Sequence, residues 1–350
     1  MKTIIITIGM HRSGTSTIAR SLEVFDFSLG DNLLGPSIEN EKGYVEDIDI
    51  LELNIEILNS FNRDWKSLIP LDKSDFKKLL DSVFYKRAKD LIKSKIFSCE
   101  KFAFKDPRIS ILLPFWDAVL TDLDINILYI FTFRNPKSIF ESLHYRNNLD
   151  LYTSCMLWNF YNLECLRKLD EKNFFIIDFD SFLDNAKDQL EKISTKFSLK
   201  INLLKLDDYL DNFLDTTLQH TKFSVNDIRN DKHLPPSTLD IYLELIDLSH
   251  NKQIKPSSRK IFEDLYNNFQ SQIVHFNYIE KLMKSNARRF EVVKALEERV
   301  KGLEERNSRD FDRIRALEQL DRNNNERING MLLSNSWKIT KPLRKIKKIL

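Results

Sequence analysis

Residues able to handle an anion appear within the first sixteen positions, in Gly9-Met10-His11-Arg12-Ser13-Gly14-Thr15-Ser16. Two glycines stand five apart and two hydroxyl side chains follow. Five β-favouring residues, Ile4 to Ile8, run into the loop, and from Thr15 the pattern turns helical with Ile18 and Leu22 on one face. A strand, tight loop and helix of this kind aim backbone N–H groups and a positive helix end at one spot, which suits phosphate. The spacing is that of a nucleotide phosphate loop, but Thr15 stands where the phosphate-gripping lysine belongs. That lysine ordinarily bridges β- and γ-phosphates. Its absence, with Arg12 placed inside the loop, argues for a nucleotide that ends in something other than a triphosphate.

Two more polar clusters follow apolar strands. Phe102 to Phe104 is a short strand ending in Lys105-Asp106-Pro107-Arg108, and Ile125 to Phe133 is a fully apolar strand closed by Arg134-Asn135-Pro136. Helices follow each, one through Leu112, Phe115 and Trp116. The other starts near Lys137, with Pro136 in its first turn and Ile139, Leu143 and Tyr145 among its contacts. The polar, turn-rich stretch from Ser28 becomes helical from about Asp47, with Leu51, Ile55 and Leu58 as its buried stripe; a loop of this length is more often functional than decorative. Residues 74–97 and 153–169 read as helices, Phe174 to Asp178 as a further buried strand, and Ser181 to Phe197 as one helix. Residues 199–280 are mostly helical, interrupted at Pro235-Pro236 and at Pro256. Strands that are near-continuous apolar runs, alternating with helices, predict an α/β fold: a parallel sheet flanked by helices, with ligands beyond the carboxyl ends of its strands. One crevice then serves Arg12 to Ser16, Lys105 to Arg108, and Arg134.

The chain has 350 residues, 42% hydrophobic and 30% charged, with 7 glycines and 9 prolines, an ordinary globular composition. Cys99, Cys155 and Cys165 are odd in number and lack metal-ligand spacing, which predicts free, buried thiols in a reducing compartment. Met1 leads almost directly into the first strand and no stretch reaches ~18 apolar residues, so the expected location is cytoplasmic. The net charge of +2 hides an asymmetry: residues 335–350 hold six of the 54 cations and no acid, leaving 48 cations against 52 acids elsewhere. The body is therefore not a general nucleic-acid binder.

GMHRSGTS, the NEKGYVE run from Asn40 to Glu46, KDPRISILLPFW from Lys105, FRNPKSIFESLHYR from Phe133 and FFIIDFDSFLDN from Phe174 together resemble a bacterial sulfotransferase, with a P-loop-like fold. The resemblance covers roughly residues 3–225, in the same order. It implies 3′-phosphoadenosine 5′-phosphosulfate (PAPS) as co-substrate and no metal. The 5′-phosphate would lie on Arg12, Ser13, Gly14, Thr15 and Ser16, and the 3′-phosphate between Arg134 and Ser142. A dianion between a strand-end arginine and a hydroxyl on the next helix gains charge-assisted bonds from both. The resemblance implies Glu46 as catalytic base, with Asp106 the rival, and Lys105 with Arg12 at the leaving group. The family's histidine base does not carry over, because no histidine stands in Lys105-Asp106-Pro107-Arg108. Tyr44 and Arg108 are the candidate acceptor contacts, Arg108 alternatively pairing with Glu46 or Asp106. Of the six dispersed histidines, only His11 in the loop holds a suggestive place. Arg146, Trp158 and His220 also fall where the family carries similar residues, and for Trp158 and His220 core packing is the expectation.

Beyond the expected domain of residues 1–280, residues 281–332 are read as a coiled-coil helix. Val293, Val300, Asn307, Ile314, Asp321 and Ile328 hold one seam position; Leu296, Leu303, Asp310, Leu317, Asn324 and Met331 hold the other. Self-association through residues 290–332 is the expectation. In the basic tail, 333–350, Ile339, Leu343, Ile346 and Leu350 alternate at helical spacing with lysines, a pattern suited to an anionic membrane face, and the stretch resembles the tails of bacterial surface-glycan glycosyltransferases. The expected reaction is sulfuryl transfer to a hydroxyl of a carbohydrate acceptor, a surface glycan or its precursor. The alternatives are a P-loop small-molecule kinase or NTPase, and a non-enzymatic coiled-coil tether.

Overall fold

The computed structural model describes residues 2–36, 43–168, 173–214, 222–251, 256–340 and 344. His220, and the tail positions Leu343, Ile346 and Leu350, lie outside the described residues. The chain divides into two compact units, Met1–Tyr278 and Ile279–Leu350.

The first unit is built on strands β1 (Thr3–Ile8), β2 (Lys101–Lys105), β3 (Asn126–Phe133) and β4 (Phe174–Asp178), all parallel, in the order β2-β1-β3-β4. Helix α1 (Thr15–Ser21) follows β1; α2 (Ile48–Ser60), α3 (Lys73–Leu80) and α4 (Val83–Lys95) precede β2. Between β2 and β3 lies α5 (Ile109–Thr121), between β3 and β4 lie α6 (Pro136–Asn147) and α7 (Leu151–Lys168), and α8 (Phe179–Asp184) and α9 (Ala186–Phe197) come after β4. The remaining helices are α10 (Leu203–Asp208), α11 (Val225–Arg229), α12 (Pro236–Asn251), α13 (Pro256–Ser271), α14 (Ile273–Leu333) and α15 (Asn335–Ile339).

Side chains alternate across a strand, so β1 feeds two cores. Ile4, Ile6 and Ile8 enter the core shared with Ile57, Phe104, Trp116, Leu143, Trp158 and Leu245, while Ile5 enters the core shared with Ile18, Leu22, Ala103, Ile130 and Ile177. Both faces of the sheet are thereby covered, as near-continuous apolar strands require. The connection from β1 goes toward β2 and that from β3 goes toward β4. The strand order therefore reverses between β1 and β3, and the crevice at such a reversal is where open α/β sheets bind ligands.

Several local expectations need correction. Residues 74–97 are two helices, because Ser82 turns extended and its hydroxyl caps the Phe84 N–H, starting α4 afresh. The segment 181–197 likewise divides at Asn185 into α8 and α9. The buried stripe of α2 is Ile50, Leu53, Asn54, Ile57 and Leu58, so Ile55 points to solvent. Tyr145 is 90% exposed, since it lies two residues from Leu143 and hence on the far side of α6. Cys155 and Cys165 are buried but Cys99 only partly so. The expected interruptions at Pro235-Pro236 and Pro256 are where new helices start, Pro236 and Pro256 being their first residues, where a missing N–H costs nothing.

Among the described residues of the second unit, the helix through Leu333 keeps its apolar side chains in solvent. Ser334 then caps α15 by accepting from the Trp337 N–H, and the Arg344 guanidinium lies 3.5 Å above the Trp337 ring. No helix among the described residues is long and apolar enough to cross a membrane.

Candidate functional site

The loop after β1 owes its shape to close backbone contacts. A Cβ on Gly9 would meet the Thr132 carbonyl oxygen of β3 at 2.2 Å, so only glycine lets the loop leave β1 against its neighbour. Ser110 holds Gly9 from the other side: its Oγ accepts from the Gly9 N–H (3.0 Å) and donates to the Gly9 carbonyl (3.3 Å). Thr132 Oγ1 donates to the Ser13 carbonyl, and Ser13 spends both its N–H and its hydroxyl on the Met10 carbonyl. Arg12 and Gly14 have φ of 70° and 82°. Left-handed residues in a short loop curl successive N–H groups toward a concave face, the form that gathers anions.

Polar side chains from two other elements reach this loop. Arg12 Nε donates to Ser142 Oγ of α6 at 2.6 Å, so the loop and the helix after β3 are in direct contact. Lys105, at the end of β2 and 2% exposed, donates to Ser16 Oγ (3.2 Å), the Tyr44 carbonyl (3.0 Å) and Glu46 Oε1 (2.6 Å). Ser16 Oγ itself donates to the Tyr44 carbonyl (2.9 Å). The cation absent from position 15 of the loop is thus replaced by two, Arg12 from within and Lys105 from the adjacent strand. Thr15, at the start of α1, is buried beside them.

Glu46 is held by a short clasp. The Leu34 N–H donates to its carbonyl (2.8 Å), Tyr44 N–H donates to the Leu34 carbonyl, and Asp47 next to it caps α2. Between Tyr44 and Glu46, buried Val45 has φ of 53°. A β-branched residue in that region costs on the order of 1–3 kcal/mol, a strain that persists only where its surroundings over-determine it. The Lys105–Glu46 ion pair, buried on both sides, is what the clasp positions.

The other candidates are placed differently. Asp106 is fully buried and its two oxygens are engaged: Oδ2 accepts from Asn54 Nδ2 (2.8 Å), and Oδ1 accepts from the Arg108 N–H (3.0 Å) and guanidinium (2.9 Å). Asn54 in turn accepts from Trp116 Nε1. Asp106 therefore ties β2, α2 and α5 together, and Arg108 pairs with it rather than with Glu46. Arg134 donates from Nε to Asp180 (3.0 Å), and its guanidinium lies 5.5 Å from the Phe179 ring. A Cβ on Gly14 would strike that same ring at 2.0 Å. Phe179 thus fills the space between the loop and Arg134, while Ser142 contacts Arg12. Trp158 is wholly buried and donates to the Arg134 carbonyl.

His11 is 8% exposed, its ring centroid 4.6 Å from that of Trp65 and 6.0 Å from that of Tyr161. Its Nε2 is buried without a hydrogen-bond partner. Burial, followed by Arg108, Arg146, Lys105 and Arg12, pushes its pKa well below the ordinary histidine range, so the imidazole is neutral at neutral pH. The Arg146 guanidinium lies over the Trp65 ring, 5.6 Å from its centroid.

Sequence reasoning did not reach Phe179, Asp180, Trp65, Asn54, Ser110 or Thr132. For Asn54 a signal existed, a polar residue within an apolar helical stripe; for Asp180, its position just beyond a strand end. The other four become neighbours only through the strand order. Among the described residues no group of three His, Cys, Asp or Glu side chains stands where it could hold a metal.

No family model matches this chain, and no curated protein matches it. Solved structures similar to it include a sulfotransferase domain from the curacin biosynthetic pathway (15% identity, 70% of this chain and 98% of that one, TM-score 0.43). Others are the sulfotransferase STF9 from Mycobacterium avium (15%, 70% and 76%, TM-score 0.42) and mouse sulfotransferase SULT7A1 complexed with PAP (15%, 81% and 90%, TM-score 0.30). Superpositions this loose carry no role for any residue, and the fold described above rests on this chain's own geometry.

Proposed function

We propose that the chain is a sulfotransferase that moves a sulfuryl group from PAPS to a hydroxyl of a carbohydrate acceptor. The observation that carries this reading is the Arg12–Ser142 hydrogen bond, which joins the loop after β1 to the helix after β3 at the reversal of the sheet. A loop with no lysine, cations arriving from Arg12 and Lys105, and hydroxyls from Ser16 and Ser142 suit a donor with phosphates at both ends of an adenosine and no γ-phosphate. The donor set fits that molecule: it offers cations and hydroxyls, and the buried carboxylates nearby are engaged by Lys105 and Arg108.

The donor supplies a sulfuryl group attached to a phosphate leaving group. In an in-line displacement the acceptor oxygen bonds to sulfur as the sulfur–oxygen bond to phosphate breaks. Glu46, bonded by Lys105 at 2.6 Å, takes the acceptor's proton. Lys105 and Arg12 offset the charge that gathers on the departing phosphate oxygen. Arg134, braced by Asp180 and Phe179, and Ser142 hold the 3′-phosphate, while the loop from Arg12 to Ser16 holds the 5′-phosphate. Tyr44 and Arg108 border the acceptor side. The basic segment 334–350 suits docking at the anionic inner face of a cell membrane, which supports a cytoplasmic protein with an acceptor among surface polysaccharides or their lipid-linked precursors.

Transfer of radiolabelled sulfate from PAPS to a surface-glycan extract tests this reading. It should be abolished by Glu46→Gln; full activity in that variant would remove Glu46 from the mechanism, and no transfer by the unaltered chain to any glycan fraction would overturn the acceptor class.

A further inference from the structure

We infer that residues 293–331 pair with a second copy of the same chain as a parallel, in-register, two-stranded coiled coil. The inference stands apart from the reaction proposed above. The eight apolar seam residues between Val293 and Met331 are each 50–58% exposed along one continuous helix, a stripe of apolar surface left open among the described residues. Seam chemistry and flanking charge both select the same occupant.

The first seam position is filled by β-branched Val293, Val300, Ile314 and Ile328, and the second by leucine at three of its four apolar layers. β-branched residues at the first and leucine at the second is the combination that favours two parallel strands. Asn307 adds a polar layer at the first position, where paired asparagines meet only if two strands are parallel and in register.

The flanking positions are sorted by sign. On one flank stand Arg299, Arg306, Arg313 and Arg327; on the other stand Glu297, Glu304 and Glu318. In a parallel pair each residue of the first flank faces the partner's residue five further on. Arg299 then meets Glu304 of the second copy and Arg313 meets its Glu318, with no like-charged flanking pair. Antiparallel strands instead set each flank against itself, arginine against arginine and glutamate against glutamate, in every register. Charge complementarity thus chooses both the partner, an identical chain, and its direction. Asp310 and Asp321 in the seam set carboxylates opposite each other and make the middle of the pair its weakest part. Parallel pairing also brings the two helix ends at Leu333 to the same end of the pair.

Sedimentation of the full chain should give twice its 41.5 kDa mass at high concentration and dissociate on dilution. Arg299→Glu or Glu304→Arg alone should weaken the dimer about three- to tenfold, since each restores like-charge contact twice per dimer, whereas the double swap should return it to the original affinity. Asp310→Leu should tighten it. In a Cys99→Ser background, Leu303→Cys should form an intermolecular disulfide readily under mild oxidation, because identical second-seam residues face one another only in the parallel register. A monomer at every concentration would overturn the proposal. So would a dimer in which Leu303→Cys fails to cross-link or the double swap fails to rescue, since either would place the strands otherwise.

Discussion

Arg12, from the loop after β1, donates its Nε hydrogen to Ser142 on α6 across 2.6 Å, linking positions 130 residues apart in sequence. Two stretches that each have the composition of a phosphate grip are thereby fixed at one place, at the reversal of the sheet. Ser142→Ala should weaken binding of adenosine 3′,5′-bisphosphate about 10-fold or more by calorimetry, the scale of one hydrogen bond to a charged group, with little change in melting temperature. Unchanged affinity would detach α6 from the site.

The Lys105–Glu46 pair is buried on both sides, so its two members should respond differently to removal. Lys105→Met leaves Glu46 buried without its cation and should destabilise the fold by about 3–5 kcal/mol in denaturant unfolding. Glu46→Gln keeps an oxygen for Lys105 to bond. It should cost less stability and remove turnover, with nucleotide affinity retained.

Asp106 supplies the matching negative control. Because both its oxygens serve Asn54 and Arg108, Asp106→Asn should lower the unfolding midpoint yet leave substantial turnover per folded molecule. Loss of turnover equal to that of Glu46→Gln, in a variant of undiminished stability, would reverse the assignment of the base.

Gly9 has no room for a methyl group, with the Thr132 carbonyl oxygen 2.2 Å from where its Cβ would stand. Gly9→Ala should destabilise by more than about 4 kcal/mol and yield little folded protein. A soluble Gly9→Ala chain with ordinary unfolding would show that β1 and β3 lie farther apart.

His11 should make stability depend on pH. Its folded pKa lies below the unfolded value of 6.5, so between the two the unfolded chain binds more protons than the native one. Stability therefore rises with pH across that interval; the contribution is present above 6.5 and is lost as pH falls below it. His11→Asn should flatten the melting-temperature profile below pH 6.5 relative to the unaltered chain. An unchanged profile would mean that His11 titrates normally.

The strand, loop and helix from Thr3 to Ser21 were legible in the sequence because all their parts are contiguous: an apolar strand, two glycines at fixed spacing and a helical pattern. Strand β4 was legible down to its end residues because Phe174 to Ile177 is an apolar run bounded by Asn173 and Asp178. The breaks at Ser82 and Asn185 were hidden, since single capping residues sit there inside otherwise continuous helical periodicity. Periodicity placed the stripe of α2 one residue out of phase, because Leu51 and Ile55 compete with Ile50, Leu53 and Ile57 as apolar positions on the same helix. At the site, Lys105 and Glu46 were separately visible as candidates. Their contact depends on β2 lying next to β1, and no local pattern encodes that neighbour relation. The same holds for Phe179, which reaches Gly14 only because α8 follows the strand beside β3.

The central claim is that the loop and α6 together hold a nucleotide with a 3′-phosphate and no γ-phosphate. Isothermal titration of the full chain with adenosine 3′,5′-bisphosphate, without metal, against ATP with magnesium, tests it most directly. The expected result is saturable binding of the bisphosphate, lost in Arg134→Ala, with at most weak binding of ATP. Tight, magnesium-dependent ATP binding with none of the bisphosphate would contradict it.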